Sequence, residues 1–452
     1  MALRKKLLLN TGLLSVSSLL MSWIGMAFQA WLAGRIGTAG IGLYQLVGSV
    51  NVLFATLSIS GIRFASTRLI AEELGADRPG AVSGAMRRCL IYGTLFGTAT
   101  ALVLWLLAEP IGFLWIGDAR TVLSLRLSAF SMPCISLCAS ISGYFTANGR
   151  VWKPTLVHLI EQLSGIVFTA LLLRSVPRGD IEACCAAVVA GRVAADVLAL
   201  LLMLGTYAVD RLRYYGAVTP VCGQTSRMLR IAVPLAISAY ARSALSTLQQ
   251  MLIPRGLKAA GYSADAALSG YGIIHGMALP VIFFPACILS AAAELIVPEL
   301  TEVQVRRDGQ TLQRTVSAFL RLTLIFSGAV GAFLFLCAEP LGMLVYHNRE
   351  AGHYIRLLAP LIPVMYTDMS VDGCLKGLGQ QVWSMGINVF DSLLCIFLVS
   401  FLLPVYALKG YLFILYASEI VNFALSVWRL RKVAPMIRLT KRRSWPETAA
   451  QR

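Results

Sequence analysis

Two arginines stand inside long apolar runs, where a charge is costly enough to be a functional candidate by default. Arg242 lies about twelve residues into one run, which the rise per residue places near the middle of a spanning helix. A guanidinium there can grip a pyrophosphate through bidentate contacts, or it can close a structural ion pair. Arg63 sits toward the inner end of another run. It can form a cationic mouth for an anionic headgroup, or snorkel to the interface. Arg68 is near enough to the surface to read as snorkelling. Arg192 and Asp196 share a helical face one turn apart, with His158 and Glu161 on the preceding run. These four read as a neutralised internal charge network, with a proton relay as the sharper alternative. Asp368 and Asp372 also share a face, and Lys376 continues it, so Asp372–Lys376 is a ready ion pair. Asn388, Asp391, Glu419 and Asn422 add oxygens of the kind a hard cation takes. Hydrogen bonding between helices is the other reading of that set. His275 reads as a packed histidine. No Ser/His/Asp, Cys/His or paired-carboxylate constellation supports an enzyme, and no catalytic residue or cofactor is assigned.

The elements holding these side chains must be membrane helices. The chain of 452 residues is 57% hydrophobic and only 13% charged, with a mean hydropathy of +0.73. A soluble chain carries roughly 25% charged residues. About twelve stretches have the length and apolarity of a span. They run near 7–31, 41–70, 89–107, 122–145, 154–173 and 181–206, then 228–252, 267–296, 312–337, 354–374, 382–403 and 410–430. The fold class is therefore an all-α polytopic membrane protein. The N-terminal basic residues and apolar run mimic a signal peptide, but the run is too long and reads as an uncleaved first helix. Ten scattered cysteines show neither zinc spacing nor a disulfide framework.

The formal net charge of +17 raises nucleic acid as a partner. Its placement answers otherwise. With Arg4, Lys5 and Lys6 in the cytoplasm, the inner loops hold Arg78, Arg87, Arg88, Arg150, Lys153, Arg211, Arg213, Arg227, Arg306 and Arg307, and the C-terminal tail is basic too. The outer loops are thinner in charge. The excess is positive-inside topology, with both termini cytoplasmic and the lipid bilayer as partner.

The chain also repeats itself. Ala108-Glu109-Pro110-Ile111-Gly112 returns as Ala338-Glu339-Pro340-Leu341-Gly342, an offset of 230 that Pro133/Pro363 and Gly149/Gly379 share. Six helices separate the copies, so the repeats run parallel, about an axis along the membrane normal. This predicts an N-lobe at 1–209, an inter-lobe linker at 210–227, a C-lobe at 228–431 and a basic tail at 432–452. Pro133, Pro234, Pro280, Pro285, Pro360 and Pro363 interrupt helices, for gating or for packing. No G-x-x-x-x-G-K-[ST] stretch is present, so transport would be secondary.

Leu13-Leu14-Ser15-Val16, Ile24-Gly25-Met26, Gly34-Arg35-Ile36-Gly37 and Gly42-Leu43-Tyr44-Gln45 open the chain, and Ser60-Gly61-Ile62-Arg63 leads to Thr67-Arg68-Leu69-Ile70-Ala71-Glu72-Glu73. With the paired Ala-Glu-Pro segments, this resembles the stage V sporulation protein B branch of the multidrug/oligosaccharidyl-lipid/polysaccharide exporter superfamily. The resemblance covers nearly the whole chain. It implies a two-lobed transporter related to flippases for lipid-linked oligosaccharides, lipid II included, and to multidrug exporters. It implies a cationic cavity, which favours binding roles for Arg63 and Arg242. Some relatives bind sodium through an Asn and an Asp on the eleventh helix, which Asn388 and Asp391 match loosely. Several relatives have fourteen helices, and here an extra pair is not expected after Leu430. The expected function is a monomeric flippase for a lipid-linked oligosaccharide or peptidoglycan precursor, in spore cortex or envelope polysaccharide biogenesis, with Na+ or H+ as the coupling ion. A cation-coupled multidrug antiporter and a non-transporting scaffold for envelope assembly are the alternatives.

Overall fold

The computed structural model describes residues 2–76, 78–177, 179–214, 223–305 and 309–440, and every regular element among them is helical. In hydrocarbon each backbone polar group must find its partner within the segment, and a helix does this. Packing divides the chain into two compact units, Met1–Met277 and Ala278–Arg452. That division follows contacts, whereas the lobe boundaries at 209 and 228 follow the repeat.

In the first unit, α1 (Ala2–Ile59) turns at Gly37, whose φ of 74° ends one span and starts the next. It is followed by α2 (Ile62–Gly75), α3 (Pro79–Pro110), α4 (Val122–Ala129), α5 (Ser131–Ala147), α6 (Trp152–Arg174), α7 (Ile181–Tyr214), α8 (Gln224–Ala259) and α9 (Ala264–Tyr271). Its core joins Ile62 and Leu69 of α2 to Met86 and Cys89 of α3, Tyr144 of α5, Met203 of α7 and Met228 of α8. The second unit holds α10 (Leu279–Val305), α11 (Gly309–Leu336), α12 (Ala338–Tyr346), α13 (Arg349–Leu358), α14 (Ile362–Gly377) and α15 (Gln381–Thr440), the last kinked at Ala407. Leu300, Leu312, Val371, Leu375 and Leu430 form its core.

Among the described residues, eight stretches are long and apolar enough to cross a membrane. Two of them carry a span on each side of the Gly37 and Ala407 kinks. The pair α4–α5, bent by 41°, and the short α14 bring the described spans to twelve. The expected linker 210–227 lies partly outside the described residues. Its described ends are helical, through Tyr214 in α7 and from Gln224 in α8. Arg306, Arg307 and residues 441–452 also lie outside them.

Three spans differ from the sequence reading. The stretch 41–70 is not one helix, because Ser60 (φ 43°) and Gly61 (φ 71°) are left-handed and break it. The tenth span begins at Ala359 rather than Tyr354, since Pro360 and Pro363 start a new helix after a separate α13. In the eighth, Gly272–Ala278 is a π-helical turn. Position 61 admits only glycine for two reasons. Its φ is costly for an L-residue, and a β-carbon would lie 2.5 Å from the Ala232 carbonyl oxygen. Gly61→Ala is expected to cost about 2 kcal/mol, read from denaturation in detergent.

The duplication is visible in three dimensions. In the first copy Arg126 Nη2 lies 2.6 Å from Glu109 Oε1, with its guanidinium 5.7 Å from the Trp105 ring centroid. In the second, Arg356 Nη1 lies 3.5 Å from Glu339 Oε1, 5.1 Å over the Phe335 ring. All three partners keep the repeat offset. So does the turn that follows, where Asp118 N–H donates to Gly112 O (2.9 Å) and Asn348 N–H to Gly342 O (3.2 Å). One difference separates the copies. The first motif lies at the end of α3, which runs through Pro110, whereas a break at Cys337 lets the second begin α12.

Candidate functional site

The break in the second span is closed by hydroxyl groups from two other helices. Tyr240 of α8 donates to Ser60 Oγ at 2.6 Å. Ser60 Oγ and Tyr92 Oη of α3 are 2.8 Å apart, and Tyr92 donates to the Ser60 carbonyl at 3.2 Å. One proton per hydroxyl satisfies the set if Ser60 donates to Tyr92. Ser60 is fully buried. Arg63 follows it by three residues, as the second residue of α2, where the helix dipole is positive. Arg242 follows Tyr240 by two residues. The Ser60–Tyr240 bond joins the two segments that carry these arginines, within the first unit. Both are exposed, and neither guanidinium has an ion-pair partner among the described residues. Arg68, by contrast, pairs with Glu72 at 3.1 Å on the surface.

The network of the first unit assembles around Arg192. Its Nη2 lies 2.6 Å from Glu161 Oε1, and its Nε lies 3.4 Å from Asp196 Oδ1. His158 Nδ1 is 3.3 Å from Glu161 Oε2. One guanidinium thus faces two carboxylates, and a protonated His158 would complete the balance.

In the second unit the acidic residues divide. Asp372 pairs with Lys376 at 2.6 Å and accepts a hydrogen bond from Ser384. Asp368 Oδ2 accepts from Asn422 Nδ2 at 2.9 Å, while Asp368 Oδ1 and Asn422 Oδ1 are buried with no hydrogen-bond partner among the described residues. Asp391 accepts from Ser418. Asp368, Asp391 and Glu419 are close enough to repel one another. Asn388 is exposed, and no hydrogen bond joins its side chain to this set among the described residues. Nor does any group of three His, Cys, Asp or Glu side chains among them converge as metal ligands. His275 is enclosed in the π-helical turn and stacks on Tyr271 at 4.6 Å.

Sequence reasoning missed Tyr92 and Tyr240, although Ser60-Gly61 is a breaker signal and a tyrosine in an apolar run needs a partner for its hydroxyl. It also missed the ties at the helix ends. Asp210 is held by Arg150 and Lys153 at 2.5 Å each. Glu73 accepts from Gln224 at 3.1 Å and Arg227 at 3.0 Å. Arg120 reaches both Asp118 and Asp265 at 2.7 Å, and Lys258 donates to Gly117 O at 2.9 Å.

Asp118 lies in the turn between spans. Burial alone would raise its carboxyl, but hydrogen bonds from Arg120 outweigh burial and hold it below its ordinary value. A lowered folded-state value stabilises the fold above the unfolded pKa of about 3.9, and the contribution is lost as pH falls through the folded value. Arg120→Gln should therefore lower the unfolding midpoint at neutral pH. The gap to wild type should narrow below about pH 4 in parallel denaturation curves.

Comparison with known proteins adds three findings. The family profile described as MatE matches residues 14–171 and 256–402. Stage V sporulation protein B of Bacillus subtilis (strain 168) is 22% identical over 381 residues, covering 83% of this chain and 73% of that protein. Two solved structures share the fold. One is an inward-facing multidrug resistance MATE family transporter of the MOP superfamily, with TM-score 0.70 and 14% identity over 94% of this chain and 96% of that one. The other is the lipid II flippase MurJ in an inward closed conformation, with TM-score 0.70 and 12% identity over 94% and 90%.

Proposed function

The chain belongs to the MatE family and is a multi-pass membrane transporter of the MOP superfamily, and from that premise we propose that it flips a lipid-linked saccharide across the cell membrane. The observation that carries the reading is that Arg63 and Arg242, on two segments joined by the Ser60–Tyr240 bond, have no ion-pair partner among the described residues. Planar guanidinium cations suit a diphosphate, which takes bidentate contacts from each. They would repel a cationic drug. The similarity to stage V sporulation protein B and to a lipid II flippase supports a peptidoglycan-type or related envelope precursor.

In this reading the lipid chain stays in the bilayer while the headgroup crosses by alternating access. The repeat supplies the moving lobes, 1–209 and 228–431, with both termini in the cytoplasm. Asp368, Asp391 and Glu419 serve as the coupling site, because a proton or a sodium ion relieves their repulsion. The test is flipping of a fluorescent lipid-linked disaccharide in proteoliposomes. Protein-dependent flipping that a soluble lipid-free diphosphate sugar inhibits supports the proposal, and its absence overturns it.

The same carboxylates favour a second reading, a cation-coupled drug antiporter, as does the MATE family structural neighbour. Ethidium efflux driven by a sodium or proton gradient, without lipid flipping, would select it.

A further inference from the structure

Besides the break at Cys337, the second copy of the repeat carries a groove. In the second unit an apolar cavity of about 350 Å³ opens between α11 and the start of α14, lined by Gly328, Gly331, Ala332, Phe335 and Pro360 among others. The offset of 230 places Thr98, Ala101, Leu102, Trp105 and Phe130 at the same positions of the first copy. There Phe130 packs edge-on against Trp105, with centroids 5.5 Å apart. Leu102 stands where Ala332 stands, and Phe130 where Pro360 stands. The scaffold is otherwise kept, including the acid, the arginine and the aromatic beneath it. The second copy thus carries smaller side chains at these positions on a retained frame.

Helix α13, which leads into the groove at Ala359, changes as well. Helix α13 presents Arg349, His353 and Arg356 at i, i+4 and i+7, all exposed. The first copy has Ala119, Leu123 and Arg126 there. Arg356 lies over Phe335, which lines the groove, so a cation stands at its mouth. Its bond to Glu339 is looser than the corresponding bond in the first copy, 3.5 Å against 2.6 Å. From Gly328 to Leu336 the groove runs about 12 Å. That is close to the depth of one leaflet of a bilayer whose hydrocarbon is about 30 Å thick.

We infer that this groove holds one acyl chain of an anionic membrane phospholipid, whose phosphate meets Arg356 and Arg349. The length favours a phospholipid, because a polyprenyl chain would far outrun it. A zwitterionic lipid would fill the groove equally well but gain less from the rim. The inference does not depend on what the transporter carries.

Native mass spectrometry of the detergent-released full-length protein tests it, with phosphatidylglycerol, phosphatidylcholine, glycerol phosphate and a polyprenyl diphosphate as probes. Wild type is expected to retain phosphatidylglycerol about tenfold better than phosphatidylcholine, and not to hold glycerol phosphate. Ala332→Leu installs the residue of the first copy and should lose that retention. Arg349→Gln with Arg356→Gln should abolish the headgroup preference while the groove stays open. These two changes lie on an exposed face and keep the test valid if the Leu variant misfolds. Equal retention of the two phospholipids, binding of glycerol phosphate alone, wild-type binding by either variant, or displacement by equimolar polyprenyl diphosphate overturns the inference.

Discussion

Arg63→Ala together with Arg242→Ala is expected to abolish flipping of a lipid-linked saccharide, and each single change to lower it about 30-fold. A hydrogen bond between charged groups contributes about 2 kcal/mol, and each 1.4 kcal/mol is a factor of ten in binding. The loss is unshared, because neither guanidinium has a partner among the described residues that would be left behind. Lys at both positions should recover only part of the rate, since an ammonium keeps the charge and loses the fork. The readout is bleaching of the flipped fluorescent lipid by an external reductant. A loss below about threefold in both single variants would remove these residues from the headgroup site.

Asp210→Ala should destabilise the protein by about 3 kcal/mol, independently of transport. The Asp210 side chain is 3% exposed, and it takes Arg150 and Lys153 at 2.5 Å each. Tyr144 donates to the same carboxylate at 3.4 Å. Removing the acid leaves two half-buried cations facing each other where α5, α6 and α7 meet. Lys153→Met added to the variant should recover part of the loss, because it removes one of the stranded charges. Equilibrium denaturation in mixed micelles measures both. A cost under about 1 kcal/mol would show that the cations rehydrate freely.

Much of the fold was legible because hydrocarbon leaves the chain few options. Apolar length gave the spans, and the Ala-Glu-Pro repeat gave their duplication. What escaped was irregular backbone. The run 41–70 is apolar enough to span whether or not Ser60 and Gly61 break it, since hydropathy averages over the break. The Tyr354 boundary failed for a related reason. Helix α13 has one apolar face, and its residues blend into the following span until Pro360 and Pro363 are weighed as starts. Among site residues, the Arg192–Asp196, His158–Glu161 and Asp372–Lys376 pairs could be read from helical spacing alone. The tie between the segments that carry Arg63 and Arg242 could not, because it is a bond between residues 180 positions apart in sequence. Arg126 and Arg356 were within reach, since the offset that pairs Glu109 with Glu339 pairs them too.

Tyr240 does more than satisfy a broken backbone. Its hydroxyl ties the break in the second span to α8. Neither arginine-bearing segment can slide along its axis without breaking a buried bond or dragging the other with it. A displacement of α8 at Tyr240 is therefore passed to the break at Ser60-Gly61 beside Arg63. The pair behaves as a linkage with a pin, and Tyr240→Phe would withdraw the pin while leaving both charges in place.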